Sequence, residues 1–148
     1  MKNLSVIIPF YNEKKFLEMS VKRVTDLDIF EQIILTDDCS TDGSSEIALQ
    51  LLKNNPRIEY IKGEKNSGKG DALNNAKNLI KTSHVVIHDA DLEYFPDDIV
   101  EMFSLAKKNP DALILGSRFI GNKVRKNVYF RTNVANRVMS LFFSVVNF

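Results

Sequence analysis

Asp89 and Asp91, in the stretch Asp89-Ala90-Asp91-Leu92-Glu93, directly follow an apolar run from Val85 to His88. Carboxylates at i and i+2 where a strand ends can both turn toward one divalent ion, and an all-oxygen donor set suits a hard cation such as Mg2+ or Mn2+. Glu93 stands as a third ligand, direct or through a water. The same spacing also makes a plain Asx turn, because acidic residues are common in turns. A second acidic pair, Asp37 and Asp38, closes another β-rich run, where a carboxylate beside a cleft can accept hydrogen bonds from a nucleobase N–H. Asp42, in Ser40-Thr41-Asp42-Gly43, reads instead as a structural cap for the helix that follows.

Other residues offer cationic partners. The loop Asn66-Ser67-Gly68-Lys69-Gly70-Asp71-Ala72 leads into a helical pattern, so Lys69 and the backbone N–H groups can face a phosphate or a sugar. The two glycines also suit a flexible hinge. A Walker loop is excluded, since the first glycine and the Ser/Thr after Gly-Lys are missing, and so is a dinucleotide fingerprint, which needs a third glycine. Arg118, after Leu115-Gly116-Ser117, reads equally as a diphosphate clamp and as a surface arginine. His84 and His88 flank an apolar strand and read as core or edge histidines, and Cys39 has no adjacent base that would make it a nucleophile.

The elements that must position these groups alternate in type along the chain. Apolar runs rich in Ile, Val and Leu predict buried strands at 5–9, 32–36, 58–61, 84–88 and 112–116. Between them, one helix places Phe16, Leu17, Val21 and Val24 on one face behind an Asn12 cap, and a second runs from about Ser44 to Lys53 behind Thr41 and Asp42. A third follows Gly70 with Ala72, Leu73, Ala76, Leu79 and Ile80, and a fourth starts at Pro96 and turns Ile99, Met102, Phe103 and Ala106 inward. The order βαβαβαβαβ calls for an α/β fold, a mostly parallel sheet with helices on both faces. Open parallel sheets bind ligands beyond the carboxyl ends of their strands. That is where Tyr11, Asn12 and Glu13, Asp37 and Asp38, Asp89, Asp91 and Glu93, and Ser117 and Arg118 all fall. Core building gives no reason to gather so many carboxylates there with so few cations, whereas a metal and a diphosphate do.

Size and charge bound the partners. The 148 residues, 44% hydrophobic and 26% charged, suit one core, and the lone cysteine and the absence of a signal-peptide pattern point to the cytoplasm. Net charge is +1, yet residues 118–148 carry six basic and no acidic side chains. Such a tail suits an anionic surface, membrane headgroups or a lipid phosphate, and equally a solvated loop followed by a packing helix. From Val128 onward, Asn133, Asn136, Arg137, Ser140, Ser144 and Asn147 share one helical stripe, leaving Val134, Val138, Leu141, Phe142, Val145, Val146 and Phe148 on broad apolar faces. A membrane crossing needs about 20 mostly apolar residues, so an interfacial helix, peripheral on the inner face of the membrane, or a self-association helix is expected. No nucleic acid partner is expected.

Taken together, Val6-Ile7-Ile8-Pro9-Phe10-Tyr11-Asn12-Glu13, Thr36-Asp37-Asp38-Cys39-Ser40-Thr41-Asp42-Gly43, Asn66 to Ala72, Asp89-Ala90-Asp91-Leu92-Glu93 and Gly116-Ser117-Arg118 resemble the family 2 glycosyltransferases of the GT-A fold. The variants Asp-Ala-Asp-Leu-Glu-Tyr and Gly-Ser-Arg-Phe look nearest to the branch that makes dolichyl-phosphate mannose and polyprenyl-phosphate glucose. The resemblance implies a nucleotide-sugar core over residues 1–118, with Pro9, Tyr11 and Glu13 lining the base and ribose pocket, Asp37 meeting the base and Asp38 close by. It implies that Asp89 touches ribose or metal, that Asp91 binds the metal with Glu93 joining, and that Arg118 meets the diphosphate or acceptor phosphate. Arg131, in the basic loop and amphipathic helix of residues 119–148, resembles the groups that contact a lipid phosphate. The implied reaction moves a hexose from a UDP-glucose or GDP-mannose type donor to a polyprenyl or dolichyl phosphate, with a saccharide as the other acceptor class.

The pattern also departs from the family, with Thr36 and Cys39 where an apolar residue and Gly are usual and without the later acceptor-side motifs, so a truncated chain is expected. Two further readings stand behind the transferase. One is a nucleotide-sugar-binding remnant without full activity. The other is a nucleotidyltransferase or a receiver-like signalling domain, which would want paired acids after the first strand and a lysine after the fifth.

Overall fold

The computed structural model describes residues 3–116. Its centre is β1 (Leu4–Phe10), seven consecutive buried residues, flanked by β2 (Gln32–Asp37), also buried throughout. β3 (Ile58–Lys62) lies outside β2 and β4 (His84–Ile87) lies on the other side of β1, giving the order β3-β2-β1-β4 with every pairing parallel. Burial on both faces explains why β1 and β2 are apolar runs rather than alternating patterns. Pro9 fits in the central strand because of where the ladder stops. Ile7 faces β4 and accepts from the His88 N–H, and alternation turns Pro9 the same way, past the last β1–β4 pair, Ile7 with Ile87, so no partner misses its N–H.

Alternate residues separate two faces. Leu4, Val6, Ile8, Phe10, Ile33 and Leu35 point to one side, where they meet α1 (Leu17–Thr25) through Leu17, Val21 and Val24, α2 (Ser44–Asn54) through Ile47, Ala48 and Leu51, and α4 (Asp97–Lys108) through Ile99 and Phe103. Ile7 and Ile34 point to the other side and pack on α3 (Lys69–Lys77) and the turn after it, through Leu73, Ala76, Leu79 and Ile80. The small side chains of Ala72 and Ala76 bring α3 close enough for the Thr36 hydroxyl to donate to the Ala72 carbonyl at 2.8 Å. From β1 the chain steps through β2 to β3 with its helices on one face, then returns across the sheet to β4 with α3 on the opposite face. Both movements keep the right-handed crossover. β1 is therefore the strand at which the direction of travel reverses, and the crevice beyond its carboxyl end is the place where such a sheet binds ligands.

The strand expected at 112–116 does not form among the described residues, and Leu113 and Leu115 are 83% and 78% exposed. Its apolar pattern is real, but α4 lies on the same face as α1 and α2. Laying 112–116 parallel beside β4 would therefore take a left-handed crossover. The β4 edge keeps one strand neighbour, and Val85 and Ile87, beyond the reach of α3, are half exposed.

At the amino end of the sheet, buried Gln32 ties three segments together. Its Oε1 accepts from the Ser5 hydroxyl (2.6 Å) and the Lys81 N–H (3.1 Å), while its Nε2 donates to Glu59 (2.8 Å) and the Leu79 carbonyl (2.6 Å). Removing the amide leaves those groups without their partner in a site shielded from water. We expect Gln32→Ala to lower the unfolding free energy by roughly 1–3 kcal/mol in urea titration; a loss no greater than that of Lys53→Met, at an exposed position on α2 away from this network, would show that water replaces the amide.

Candidate functional site

The loops after β1 and β2 are stapled to each other before either can hold a ligand. Asn12, in a left-handed conformation at φ 55°, donates its backbone N–H to the Ser40 hydroxyl (2.9 Å) and accepts from the Thr41 N–H on its side-chain oxygen (2.8 Å). Asp42 accepts from the Lys14 N–H at 3.0 Å and from the backbone and hydroxyl of Ser44, the first residue of α2. Asp42 therefore has the structural role expected of it. Asn12 does not cap α1, which begins only at Leu17, because its side chain is committed to Thr41.

The two neighbouring aspartates after β2 separate in function. Asp37 is 1% exposed, and its oxygens accept from the Ser40 N–H (2.7 Å), the Ser45 hydroxyl (2.5 Å) and the Tyr60 hydroxyl (2.9 Å), with the Lys62 ammonium at 3.9 Å. Burial pushes its carboxyl up, but the hydrogen bonds from Ser40, Ser45 and Tyr60 outweigh burial and hold it below the usual aspartate range. Burial, with the charges of Asp37 and Glu46 beside it, pushes the Tyr60 hydroxyl up to about 12, so it stays a donor. Asp37 thus lies beneath the site. Asp38 is on its wall, accepting from the Ser67 and Gly68 N–H groups at 2.9 and 2.7 Å and fixing the loop that starts α3. Gly68 is needed there, since φ is +89°. Cys39 also sits at positive φ, 65°, and its thiol faces the Glu64 carbonyl.

Pro9, Phe10, Tyr11 and Glu13 from the end of β1, Asp38 from β2, Lys69 and Ala72 from α3, and Asp89, Ala90 and Asp91 from β4 line one cleft of about 240 Å³. It lies beyond the reversal at β1. All of these but Phe10, Ala72 and Ala90 are residues that the sequence singles out for chemistry; those three are apolar, and their types carry no chemical signal. Lys69 pairs with Asp89 at 2.5 Å and is the single cation on this wall among the described residues. Asp91 accepts from the Glu93 N–H at 3.0 Å, a turn that puts Leu92 at φ 62°. Burial first, then the charges of Asp91 and Asp42, push the Glu13 carboxyl above its usual range. Burial also lowers the His88 imidazole against the opposing pull of Asp89 and Asp91, with Arg23 adding to the fall, and His88 is not on the cleft wall.

A divalent metal fits this donor set in part. Asp89 and Asp91 supply hard oxygens, and the wall sets four carboxylates, Glu13, Asp38, Asp89 and Asp91, against one lysine. Among the described residues no three His, Cys, Asp or Glu side chains converge as a self-sufficient site requires, and Glu93 is not on the wall with the other two. The remaining oxygens would have to come from a ligand. Arg118 and Arg131, and the interfacial helix read at 119–148, lie outside the described residues; among the described residues no helix is long and apolar enough to cross a membrane.

Comparison with known proteins covers nearly the whole chain. The profile of Glycosyl transferase family 2 matches residues 5–145. A dolichol-phosphate mannosyltransferase of Pyrococcus furiosus is 30% identical over 131 residues, 86% of this chain and 37% of its own. An undecaprenyl-phosphate 4-deoxy-4-formamido-L-arabinose transferase of Yersinia enterocolitica is 30% identical over 119 residues, 76% and 36% of the two lengths. The chain thus spans little more than a third of these relatives. Among solved structures, a mannosyltransferase of Pyrobaculum calidifontis in complex with GDP-Man and Mn2+ superposes with a TM-score of 0.64 at 25% identity, over 70% of this chain and 32% of the other.

The depressed carboxyl of Asp37 has a thermodynamic consequence. A group whose folded value lies below its unfolded one stabilises the fold fully above the unfolded value, and that contribution is lost as pH falls through the folded value. We expect wild-type chain to exceed Asp37→Asn by roughly 1–3 kcal/mol at pH 7, the gap closing as denaturant titrations are carried from about pH 5 to below about pH 3. A gap independent of pH would mean that the charge of Asp37 contributes nothing.

Proposed function

The chain belongs to glycosyl transferase family 2 and has the GT-A fold, and from that premise we propose that it is the donor-binding part of a hexosyltransferase. The observation that carries this is the convergence of Glu13, Asp38, Asp89 and Asp91 from three strand ends on one cleft at the reversal point of the sheet, with Lys69 as counter-charge. A nucleoside diphosphate sugar of the UDP-glucose or GDP-mannose type suits that chemistry. Pro9 and Tyr11 give an apolar and aromatic wall for the base, and Glu13 stands nearer the ribose. The base N–H falls to Asp38, which lines the cleft, rather than to Asp37, which is buried beneath it.

Asp89 and Asp91 would hold Mg2+ or Mn2+ together with diphosphate oxygens, and the bound ion supplies Lewis-acid neutralisation of the departing nucleoside diphosphate. Direct displacement at the anomeric carbon needs little else if the acceptor is a phosphate, which is anionic at neutral pH and requires no strong general base. A polyprenyl or dolichyl phosphate is the acceptor supported by the names of the Pyrococcus and Yersinia relatives. On this reading Arg118 and Arg131 meet the diphosphate and the acceptor phosphate, and residues 119–148 bring the protein to the inner face of the membrane or to a second copy.

Calorimetric titration of UDP and of GDP, each with and without Mn2+, tests the donor site. We expect one nucleotide to bind in a metal-dependent manner and Asp91→Ala to weaken it at least about tenfold, as loss of a charged ligand does. Binding of neither nucleotide would sink the proposal and leave a family member whose cleft no longer takes a donor.

A further inference from the structure

Lys69 is held in an unequal way. Its backbone, the first residue of α3, is fixed by the two-oxygen grip of Asp38 on the Ser67 and Gly68 N–H groups. Its side chain is 53% exposed and reaches across the cleft mouth to Asp89 Oδ1 at 2.5 Å. More than half of that side chain is open to solvent, so the ammonium can leave Asp89 while the start of the helix stays held by Asp38. A divalent ion on Asp89 would sit about 2.0–2.2 Å from a carboxylate oxygen, where an ammonium on the same oxygen would face it as a like charge in a partly enclosed site.

We infer that Lys69 is the exchangeable counter-ion of Asp89: it competes with the divalent metal for that carboxylate, and the diphosphate of the donor, by taking the displaced ammonium, makes metal and nucleotide bind cooperatively. The second half rests on the reading of the cleft as a nucleoside diphosphate site; the first half does not. Released from Asp89, the ammonium is left on a wall where Asp38 is engaged by backbone amides and Asp91 is, on the proposed reading, the metal's other ligand. A diphosphate arriving with the metal offers it a new partner of the right sign and reach. Each ligand then removes the cost of binding the other, and linkage makes the effect reciprocal. Lys69 is in this sense a positioning residue that sets the order of assembly.

The test is a Mn2+ titration of the full chain, read by the loss of the free-ion electron paramagnetic resonance signal, for wild type, Lys69→Met and Lys65→Met. Lys65 lies in the same loop but off the cleft wall, so it controls for the general loss of one positive charge. We expect Lys69→Met to bind Mn2+ alone about tenfold tighter than wild type, a typical coupling size, and Lys65→Met to match wild type. Adding UDP or GDP tightens Mn2+ binding to wild type and does so by a smaller factor in Lys69→Met. Equal Mn2+ affinity in wild type and Lys69→Met, an equal gain in Lys65→Met, or no detectable Mn2+ binding in any of the three overturns the competition. Tighter Mn2+ binding by Lys69→Met with no response to either nucleotide would uphold the competition at Asp89 and overturn the donor reading instead.

Discussion

In a parallel sheet every strand delivers its carboxyl end to the same side, and in this chain β1 alone has neighbours reached by connections that travel in opposite directions. Helices cannot fill the gap above that strand, because α1 leaves toward one edge and α3 returns toward the other on the opposite face. The crevice follows from right-handed crossovers and from the strand order, before any polar side chain is considered. What the polar residues add is a lining. Glu13, Asp38, Asp89 and Asp91 stand on short segments whose start is set by buried strands, so carboxylates that would repel one another in a flexible chain are held on one wall.

Holding loops in place beside such a wall takes polar bonds that water would otherwise satisfy. Asp37 does this by going underneath: with three donors on its two oxygens it organises Ser40, Ser45 and Tyr60 from the β2 loop, α2 and β3 around one anion. Asn12 and Asp42 join the β1 loop to the same assembly, and Asp38 extends it to the start of α3. A buried carboxylate is tolerable only where its acceptor capacity is filled, and here filling it is the same event as shaping the loops.

How much of this could be read from residue order depends on whether the signal is local. The cores of the first four strands and all four helices are runs whose period or apolar content is complete within the segment, and they stand within a few residues of the expected places. The stretch at 112–116 carries an equally good strand pattern, but a strand exists only with a neighbour, and the side on which α4 packs is not written in Ala112 to Gly116. Asn12 carries a capping residue type, yet its side chain answers to Thr41, 29 positions away. Asp37 and Asp38 are the same residue type one position apart, and alternation along a strand end sends one inward and leaves the other on the wall; only the partners Tyr60 and Ser45 distinguish them. The acidic character of the cleft was legible because strand ends are; the company each acid keeps was not, because its partners come from other elements.

The strand order also sets a calendar for synthesis. β1, β2 and β3, with α1 and α2, are consecutive in the chain, so three of the four described strands can assemble as the nascent polypeptide lengthens, by neighbour-to-neighbour pairing alone. The second edge of β1, although it belongs to the centre of the finished sheet, must wait until His84–Ile87 emerge, and pairing it closes a loop of some eighty residues. Through that interval Val6 and Ile8 belong to a sheet with a bare margin, the kind of surface that chaperones shelter. Asp89 and Asp91 arrive directly behind the strand that covers it, so the nascent chain completes its acidic wall in the same step that hides its most sticky edge.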